Sequence, residues 1–370
     1  MIINIDREQL IEPLKYIVGV SEKKQTMPIL GNVLIRGDGD GLILVASDLE
    51  VEMSTKIAYP APNDINTTMP TRKLLDILKS LPGKDEISID IGDNKATIKS
   101  GKSRFVLATL PGEDFPYEPI AISCDHKVST SELDTLIGHT SFSMAVQDAR
   151  HFLNGMFFEV KSNMVTVVST DGHRLSLSTA SQDNSLDEPV NCIIPRKCVV
   201  EIKRILSTFK DNKEHLAEFS IKKGEIIFRI SDYIIKSKLI EGNYPDYNKV
   251  FPESLPHKLS VDKEELKSAL QRMSILSNEQ FKGVKLSLSK TEIMITTNNP
   301  SQEEGEDSVS CQYTGDELEI GFNLTYLLEA IDVIASEKVA FQLNNADSGC
   351  LISSDSNDPQ NKYIIMPMRV

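Results

Sequence analysis

Val128-Ser129-Thr130-Ser131-Glu132-Leu133 occurs three times in related form. The related segments are Ile5-Asp6-Arg7-Glu8-Gln9-Leu10 and Val261-Asp262-Lys263-Glu264-Glu265-Leu266, at intervals of 123 and 133 residues. Each has an apolar residue, then Asp or Ser, then Gln or Glu three places on, then Leu. An Asp or Ser at such a position caps the free N–H groups of a helix, and the Glu or Gln completes a capping box. The sequence therefore predicts three similar helix starts.

The similarity between the three segments continues downstream of these helices. Phe152-Leu153-Asn154-Gly155-Met156-Phe157 has counterparts in Ile29–Leu34 and Gln280–Lys285, and an alternating strand follows each glycine. Ser47-Asp48, Thr170-Asp171 and Thr297-Asn298 then close hairpins at matching places. A second helix is predicted in each segment, at Thr71–Leu81, Arg196–Thr208 and Leu324–Ala335.

Each segment of about 120 residues is predicted to be strand–helix–three strands, twice over. The fold class is therefore α+β, with three similar domains that each place two helices on one side of antiparallel sheet. We place the domains at residues 1–122, 127–250 and 256–370, because Pro119, Pro252 and Pro256 interrupt the chain near those boundaries.

Composition excludes several functional classes. The chain has 370 residues, of which 40% are hydrophobic and 25% charged, as in ordinary soluble proteins. Its net charge of −14 disfavours a generally basic nucleic-acid binder unless the basic residues are segregated. No run approaches 18 apolar residues, and the N-terminal MIINIDREQL carries charges by residue 6. We therefore expect no membrane span and no signal peptide.

Cysteine usage points to a reducing compartment. The five cysteines form no CxxC pair, and the six histidines form no HExxH motif or Cys/His cluster. We therefore expect reduced thiols in the cytoplasm and no zinc site. The cysteines are Cys124, Cys192, Cys198, Cys311 and Cys350.

Basic residues concentrate on the second helices. The middle one carries Arg196, Lys197, Lys203, Arg204 and Lys210 against Glu201. The first has three cations against one Asp, and the acidic residues 302–307 lie elsewhere. Such segregation suits a protein that presents one basic face to phosphate, although each helix alone also fits an ordinary solvated face.

The segment Thr170-Asp171-Gly172-His173-Arg174 allows three interpretations. Asp-Gly is typical of a hairpin turn, and the segment could also form a binding surface. A hydrolytic site using Asp171 and His173 is the third, but no GxSxG or Gly-rich phosphate loop accompanies it. Residues 38–41 resemble half a calcium loop, yet they lack the glutamate at the twelfth position and are predicted to be a turn.

Five motifs occur in order along the whole chain. They are Met27-Pro28-Ile29-Leu30-Gly31-Asn32, Phe152-Leu153-Asn154-Gly155, Thr170-Asp171-Gly172-His173-Arg174-Leu175, Tyr244-Pro245-Asp246-Tyr247 and Tyr363-Ile364-Ile365-Met366-Pro367-Met368-Arg369. Together they resemble the bacterial DNA polymerase III beta subunit family, the sliding clamps. Lys249 departs from the family pattern where the best-known member has Arg, and the chain ends in Val370 instead of Leu.

The resemblance implies a processivity factor that is not an enzyme and needs no cofactor or metal. Known clamps use six such domains, so three per chain imply a head-to-tail homodimer. Twelve helices at spacings of about 9 Å give a circumference of roughly 108 Å and a diameter near 34 Å, enough to surround duplex DNA. The implied partners are a second copy, duplex DNA of any sequence, and polymerase, clamp loader and repair proteins, with no membrane.

The resemblance also assigns sites. A cleft for partner peptides between the second and third domains is expected to contain Leu153, Thr170, Gly172, His173, Arg174, Leu175, Pro245, Val250, Phe281, Asn323, Tyr326, Ile364, Ile365, Met366, Pro367, Met368 and Arg369. DNA contacts are expected from Lys24, Arg72, Gln147 and Arg196, although Lys24 equally fits ordinary surface charge. The dimer seam is expected at Lys73, Phe105, Ile275, Leu276, Glu303 and Glu304. No catalytic residue is expected. Two other function classes stay open, the hydrolase and a repeat scaffold without a DNA role.

Overall fold

A computed structural model describes residues 1–21, 27–82, 86–119, 125–182, 188–209, 215–252, 254–355 and 360–369. The chain divides into two compact units. Met1–Asp134 with Lys197–Leu239 form unit 1, and Thr135–Arg196 with Ile240–Val370 form unit 2.

The described residues contain six α-helices, at the predicted positions. The three first helices begin after the predicted caps: the Asp6 carboxylate accepts a hydrogen bond from the Glu8 amide, and Asp262 accepts one from Glu265. The Ser129 hydroxyl accepts from the Glu132 amide at 3.1 Å and donates to the Glu132 carboxylate at 2.9 Å. The helices are α1 Arg7–Ile17, α2 Thr71–Ser80, α3 Thr130–Thr140, α4 Arg196–Leu206, α5 Lys263–Ser274 and α6 Leu324–Asp332.

The strands follow the predicted order of strand–helix–three strands, twice in each repeat, with one short extra strand, β9. They are β1 Ile2–Asp6, β2 Asn32–Gly37, β3 Gly41–Ser47, β4 Val51–Ala58, β5 Asn66–Pro70, β6 Glu86–Gly92, β7 Lys95–Ser100, β8 Ser103–Ala108, β9 Leu110–Pro111, β10 His126–Ser129, β11 Gly155–Lys161, β12 Met164–Thr170, β13 Arg174–Ser181, β14 Val190–Pro195, β15 Leu216–Lys222, β16 Glu225–Ile230, β17 Tyr233–Lys238, β18 His257–Asp262, β19 Gly283–Leu288, β20 Glu292–Asn298, β21 Glu304–Tyr313, β22 Leu318–Asn323, β23 Lys338–Leu343, β24 Cys350–Ser354 and β25 Asn361–Ile365.

Unit 1 contains two antiparallel sheets. The smaller has the order β1-β6-β7-β8, so β8 lies at its edge. The larger has the order β10-β15-β16-β17-β4-β3-β2-β5-β9. Its β17–β4 pairing, from Tyr233↔Thr55 to Ser237↔Val51, joins strands of the first and second repeats in one sheet.

Unit 2 contains one antiparallel sheet of twelve strands, in the order β14-β11-β12-β13-β25-β24-β23-β18-β21-β20-β19-β22. The β13–β25 pairing, which includes Arg174↔Ile365 and Leu175↔Ile364, joins the second and third repeats. Strand β25 therefore runs beside β13, which begins at Arg174, the last residue of the predicted hairpin.

Helix α2 packs by an apolar stripe. In α2, Leu74, Leu75 and Leu78 are buried, while Arg72 and Lys73 are exposed on the other side. Burial of such a stripe, more than helix propensity, stabilises a helix of this length.

Candidate functional site

The Thr170–Arg174 hairpin is held by its own side chains. The Asp171 carboxylate accepts from the amides of His173 and Arg174 at 2.9 and 3.0 Å. The Thr170 hydroxyl accepts from the Gly172 amide and donates to the Arg174 carbonyl. Asp171 therefore serves the turn itself, as the hairpin interpretation predicts.

Gly172 suits this turn because of its backbone conformation. Its φ of +89° lies in the region that favours glycine. A Cβ there would also lie 2.9 Å from the guanidinium nitrogens of Arg150. Arg150 packs in that space and donates to the Asp171 carbonyl at 3.1 Å.

An apolar cavity of about 420 Å³ opens beside the hairpin, within unit 2. Nine of the predicted cleft residues line it, and so do four that the sequence analysis missed, Arg150, Phe152, Tyr244 and Tyr247. Phe152, Tyr244 and Tyr247 lie inside two of the quoted motifs, so their membership of the motifs that supply Leu153 and Pro245 was the available signal. The predicted residues are Leu153, Thr170, Gly172, Arg174, Leu175, Pro245, Val250, Ile364 and Met366.

The two tyrosines form a fixed wall of this cavity. The rings of Tyr244 and Tyr247 lie 5.1 and 5.8 Å from the ring of Phe157, centroid to centroid. The Tyr244 hydroxyl donates to the Val168 carbonyl at 3.4 Å, and burial raises the pKa of Tyr244. Tyr244 therefore stays a neutral donor, and the wall is uncharged.

The tail after β25 bridges two elements of unit 2. The Met366 amide donates to the His173 carbonyl at 2.8 Å, and the Met368 amide donates to the Gly321 carbonyl of β22 at 2.9 Å. Pro367, between them, has no amide to satisfy. These two hydrogen bonds thereby hold the tail beside the cavity.

Ile365 was predicted to line the cleft, but it does not line the cavity. It is buried in the hydrophobic core of the third repeat, whereas Ile364 packs with Val168, Leu175 and Leu177 near the cavity. Successive strand side chains point to opposite faces, and here Ile364 lines the cavity whereas Ile365 points into the core.

A second depression, of about 1030 Å³, lies beyond the tail. It contains the predicted residues Phe281, Met368 and Arg369 together with several Asn and Gln side chains. Phe281 is 57% exposed, which is unusual for an aromatic side chain. Asn323 caps α6 by accepting from the Tyr326 amide and donates to the Phe281 carbonyl at 3.3 Å.

Arg174, one of the predicted cleft residues that line the cavity, is also engaged within the protein. It is 8% exposed. Its Nε donates to Asp171, one terminal nitrogen to Glu329, and the other to the Phe142 carbonyl. Its guanidinium also lies 4.2 Å from the centre of the Tyr326 ring, and Tyr326 does not line the cavity.

Gln147 and Arg196, predicted to contact DNA, border the same loop of unit 2. Gln147 is exposed and has a φ of +55°. Arg196 donates to the Met144 carbonyl at 3.1 Å, and the Asn154 amide group bonds both the amide and the carbonyl of Asp148 at 2.9 Å. The loop is thus held at both ends while its tip is presented to solvent.

The Asp148–Arg150 pair predicts a pH response of this loop. Hydrogen bonds from the Arg150 side chain and amide lower the pKa of Asp148 from 3.8 to about 2. A lowered pKa means that the pair contributes above pH 3.8 and is lost as the pH falls towards 2. We expect the carbon shift of the Asp148 carboxyl in NMR spectra to titrate near 2. A midpoint near 3.8 would show that the pair is not formed in solution.

Two basic residues of α4 are partly exposed but held in ion pairs, so they offer less charge to a basic surface than the sequence pattern indicates. Lys197 pairs with Asp48 at 2.5 Å and donates to the Val20 carbonyl, and Arg204 pairs with Glu201 at 2.6 Å. Arg72 remains exposed on α2. Lys24 and Lys210 lie outside the described residues.

The predicted seam residues lie on two exposed surfaces, one in each unit. In unit 1, Lys73 is exposed and Phe105 is half-buried on the edge strand β8. In unit 2, Ile275 is 78% exposed just after α5, Leu276 is half-buried, and Glu303 and Glu304 are exposed. The structure thus leaves these side chains available for a partner.

Within the described ranges, no three His, Cys, Asp or Glu side chains are placed to hold a metal ion. No helix among them is long and apolar enough to cross a membrane. Cys192, Cys198 and Cys350 are buried and Cys311 is half-buried, all as free thiols, and burial raises the pKa of Cys198 to about 12.

Comparison with known proteins gives one family. Models of the N-terminal, central and C-terminal domains of the DNA polymerase III beta subunit match residues 1–119, 127–246 and 248–369. The chain is 39% identical to the beta sliding clamp of Pseudomonas putida over 370 residues, which covers 99% of both chains. It is 40% identical to that of Pseudomonas aeruginosa over 372 residues, again with 99% of both covered.

Solved structures agree with these matches. A Pseudomonas aeruginosa sliding clamp bound to griselimycin superposes with a TM-score of 0.92 at 38% identity, covering 100% of both chains. A beta sliding clamp from C. crescentus gives a TM-score of 0.92 at 31% identity, covering 100% of this chain and 99% of that one. The repeated fold and its motifs therefore define a sliding clamp.

Within that class, the chain belongs to the DNA polymerase III beta subunit family, which confirms the resemblance seen in the sequence. It is a DNA polymerase processivity factor, and the family is not enzymatic. The hydrolase interpretation of Asp171 and His173 is thereby excluded, as is a scaffold without a role in replication.

Proposed function

We propose that two copies close head to tail into a ring around duplex DNA, slide along it, and hold polymerase, clamp loader and repair proteins through the apolar cavity beside Thr170–Arg174. The observation that carries the tethering proposal is the preformed cavity with the tail held beside it. Retention on circular DNA and release from linear DNA is the experiment that tests the ring.

The cavity suits a short extended peptide. Its wall is apolar and aromatic, and its volume of about 420 Å³ accommodates one or two large side chains such as Leu or Phe. Exposed Val250 and Met366 lie at its surface, and Met adapts to side chains of different shape. The depression at Phe281, Met368 and Arg369 continues along the tail and offers amide groups for the rest of the peptide.

The dimer seam is proposed to join β8 of one copy to β21 of the other. β8 pairs only with β7 among the described strands. In β21, residues Glu304–Ser310 pair with β20 on one side, whereas β18 covers only Cys311–Tyr313 on the other. Two free strand edges can form one antiparallel ladder between copies. Phe105 and Ile275 supply apolar contacts, and Lys73 faces the acidic Glu303 and Glu304.

The DNA-facing surface is proposed to include Arg72, Gln147 and Arg196, with Lys24 from the undescribed segment. Their side chains contact phosphate without reading bases, as a sliding protein requires. Segregation of these residues reconciles DNA binding with the net charge of −14.

Arg72→Gln tests this surface. A variant that makes one phosphate contact fewer releases fewer counterions when it binds DNA. We therefore expect the plot of log affinity against log salt concentration, measured with linear duplex DNA, to become less steep by about 1. Lys99→Gln removes an exposed cation of the small sheet in unit 1 and serves as the matched control. Equal slopes for Arg72→Gln and the unaltered protein would remove Arg72 from the DNA surface.

We also propose that the three domains lie near residues 1–122, 127–250 and 256–370, supported by the three family matches, and that the protein works in the cytoplasm. Free buried thiols are in keeping with that compartment.

A further inference from the structure

The second helices of the middle and third repeats carry a glutamate at the same place. Glu201 is the sixth residue of α4, and Glu329 is the sixth residue of α6. Each lies where strands of two repeats join in one sheet, through β17–β4 in unit 1 and β13–β25 in unit 2. The two sites can therefore be compared atom by atom.

Both glutamates hold a guanidinium against a backbone carbonyl of the preceding repeat. Glu201 pairs with Arg204, which donates to the Tyr16 carbonyl of α1 and lies 5.9 Å from the Tyr16 ring. Glu329 pairs with Arg174, which donates at 2.6 Å to the Phe142 carbonyl just after α3 and lies 5.4 Å from the Phe142 ring. The same three groups, carboxylate, guanidinium and carbonyl, recur at both places.

The source of the arginine differs between the two places. Arg204 comes from the same helix as Glu201, three residues later. Arg174 comes from the first position of β13 and is the last residue of the Thr170–Arg174 hairpin. In unit 2 the contact therefore connects α6 to the hairpin, whereas in unit 1 it involves no hairpin residue.

The Glu329 contact acts on atoms that shape the cavity. Asp171 bonds the Arg174 side chain at 3.1 Å and also accepts the hairpin amides. The His173 carbonyl in the same hairpin accepts the Met366 amide of the tail. Hydrogen bonds thus connect the Arg174 guanidinium, through Asp171, to the hairpin that forms the cavity wall and carries the tail anchor.

We propose that Glu329 is a positioning residue of the docking cleft: it does not line the cavity, but it holds Arg174, and through Arg174 the hairpin, in the form that accepts a peptide. This inference rests on the proposed docking function. Glu329 is partly exposed, with 39% of its side chain accessible, so the cleft can be loosened without removing a core residue.

Glu329→Gln and Glu201→Gln form a matched pair for the test. Burial raises the pKa of Glu201, so a neutral Gln is tolerated there and the variant is expected to fold. Both variants lose one carboxylate–guanidinium contact at equivalent places. Affinity is measured by fluorescence anisotropy with the full-length protein and a labelled short peptide carrying adjacent Leu and Phe, and the thermal unfolding midpoint is recorded for each variant.

We expect Glu329→Gln to weaken peptide binding about tenfold, mainly through faster dissociation, while Glu201→Gln leaves it unchanged. Glu329→Asp keeps the charge and is expected to restore part of the affinity. The unfolding midpoint does not distinguish a positioning role from a general structural role. The difference in peptide affinity between Glu329→Gln and Glu201→Gln does.

Three results would overturn the inference. Unchanged affinity in Glu329→Gln would show that the hairpin is held without it. Equal losses in Glu329→Gln and Glu201→Gln would show a general loss of stability instead of positioning. Failure of the unaltered protein to bind the Leu-Phe peptide more tightly than the same peptide with both residues replaced by Ala would refute the docking function itself, and this inference with it.

Discussion

Ile275→Asp is expected to convert the protein to a monomer that is not retained on circular DNA. Ile275 is 78% exposed although it is a large aliphatic residue, and it directly follows α5. In the proposed seam it is an apolar anchor next to Glu303 and Glu304. A buried unpaired carboxylate in that position adds repulsion to the lost contact, and we expect self-association to weaken by more than about 100-fold. Sedimentation velocity over a range of concentrations measures this change.

Leu216→Asp is the matched control for this experiment. Leu216 is 47% exposed at the start of β15 and belongs to neither proposed seam surface. It should leave the dimer intact and show that a new surface charge alone does not separate the copies. A stable dimer of Ile275→Asp would place the seam elsewhere.

Met366→Asp is expected to abolish partner binding while leaving the ring closed. Met366 is 40% exposed at the cavity, and its backbone anchor to His173 does not depend on its side chain. A bound leucine or aromatic side chain would bury the new carboxylate without a partner, which costs several kcal/mol. We expect peptide affinity to fall by at least about 30-fold, measured by anisotropy titration.

Met294→Asp controls for the loss of a methionine. Met294 is a half-buried residue of β20 in the same unit and does not line the cavity. It should bind peptide as the unaltered protein does, and both variants should remain dimers. Undiminished binding by Met366→Asp would exclude this cavity as the docking site.

Much of the fold follows from local sequence signals. The caps at Asp6, Ser129 and Asp262 predict the helix starts because they act within one turn of chain. The ends of the second helices are less well predicted: α2 ends at Ser80 and α6 at Asp332, before the predicted limits. Helix ends depend on tertiary packing as well as sequence, and the apolar periodicity continues past the last helical residue.

Nine of the predicted cleft residues line one cavity, but the contacts around them depend on long-range packing that the sequence pattern does not reveal. Arg174 is a residue type that often contacts bound peptides. Here its terminal nitrogens donate hydrogen bonds to Glu329, 155 residues away, and to the Phe142 carbonyl. The ion pair between Lys197 and Asp48 likewise forms only when the first and second repeats come into contact. Alternation along β25 places Ile365 on the opposite face from Ile364, in the core of the third repeat.

The measurement that tests the ring most directly compares retention on circular and linear DNA. The protein is assembled by a clamp loader on nicked circular plasmid, and half the sample is then cut once with a restriction enzyme before gel filtration. A topological link predicts that the protein stays on the circle and is lost from the linear form, because the local contacts are the same in both. Equal retention on the two forms would mean ordinary surface binding and would contradict the account.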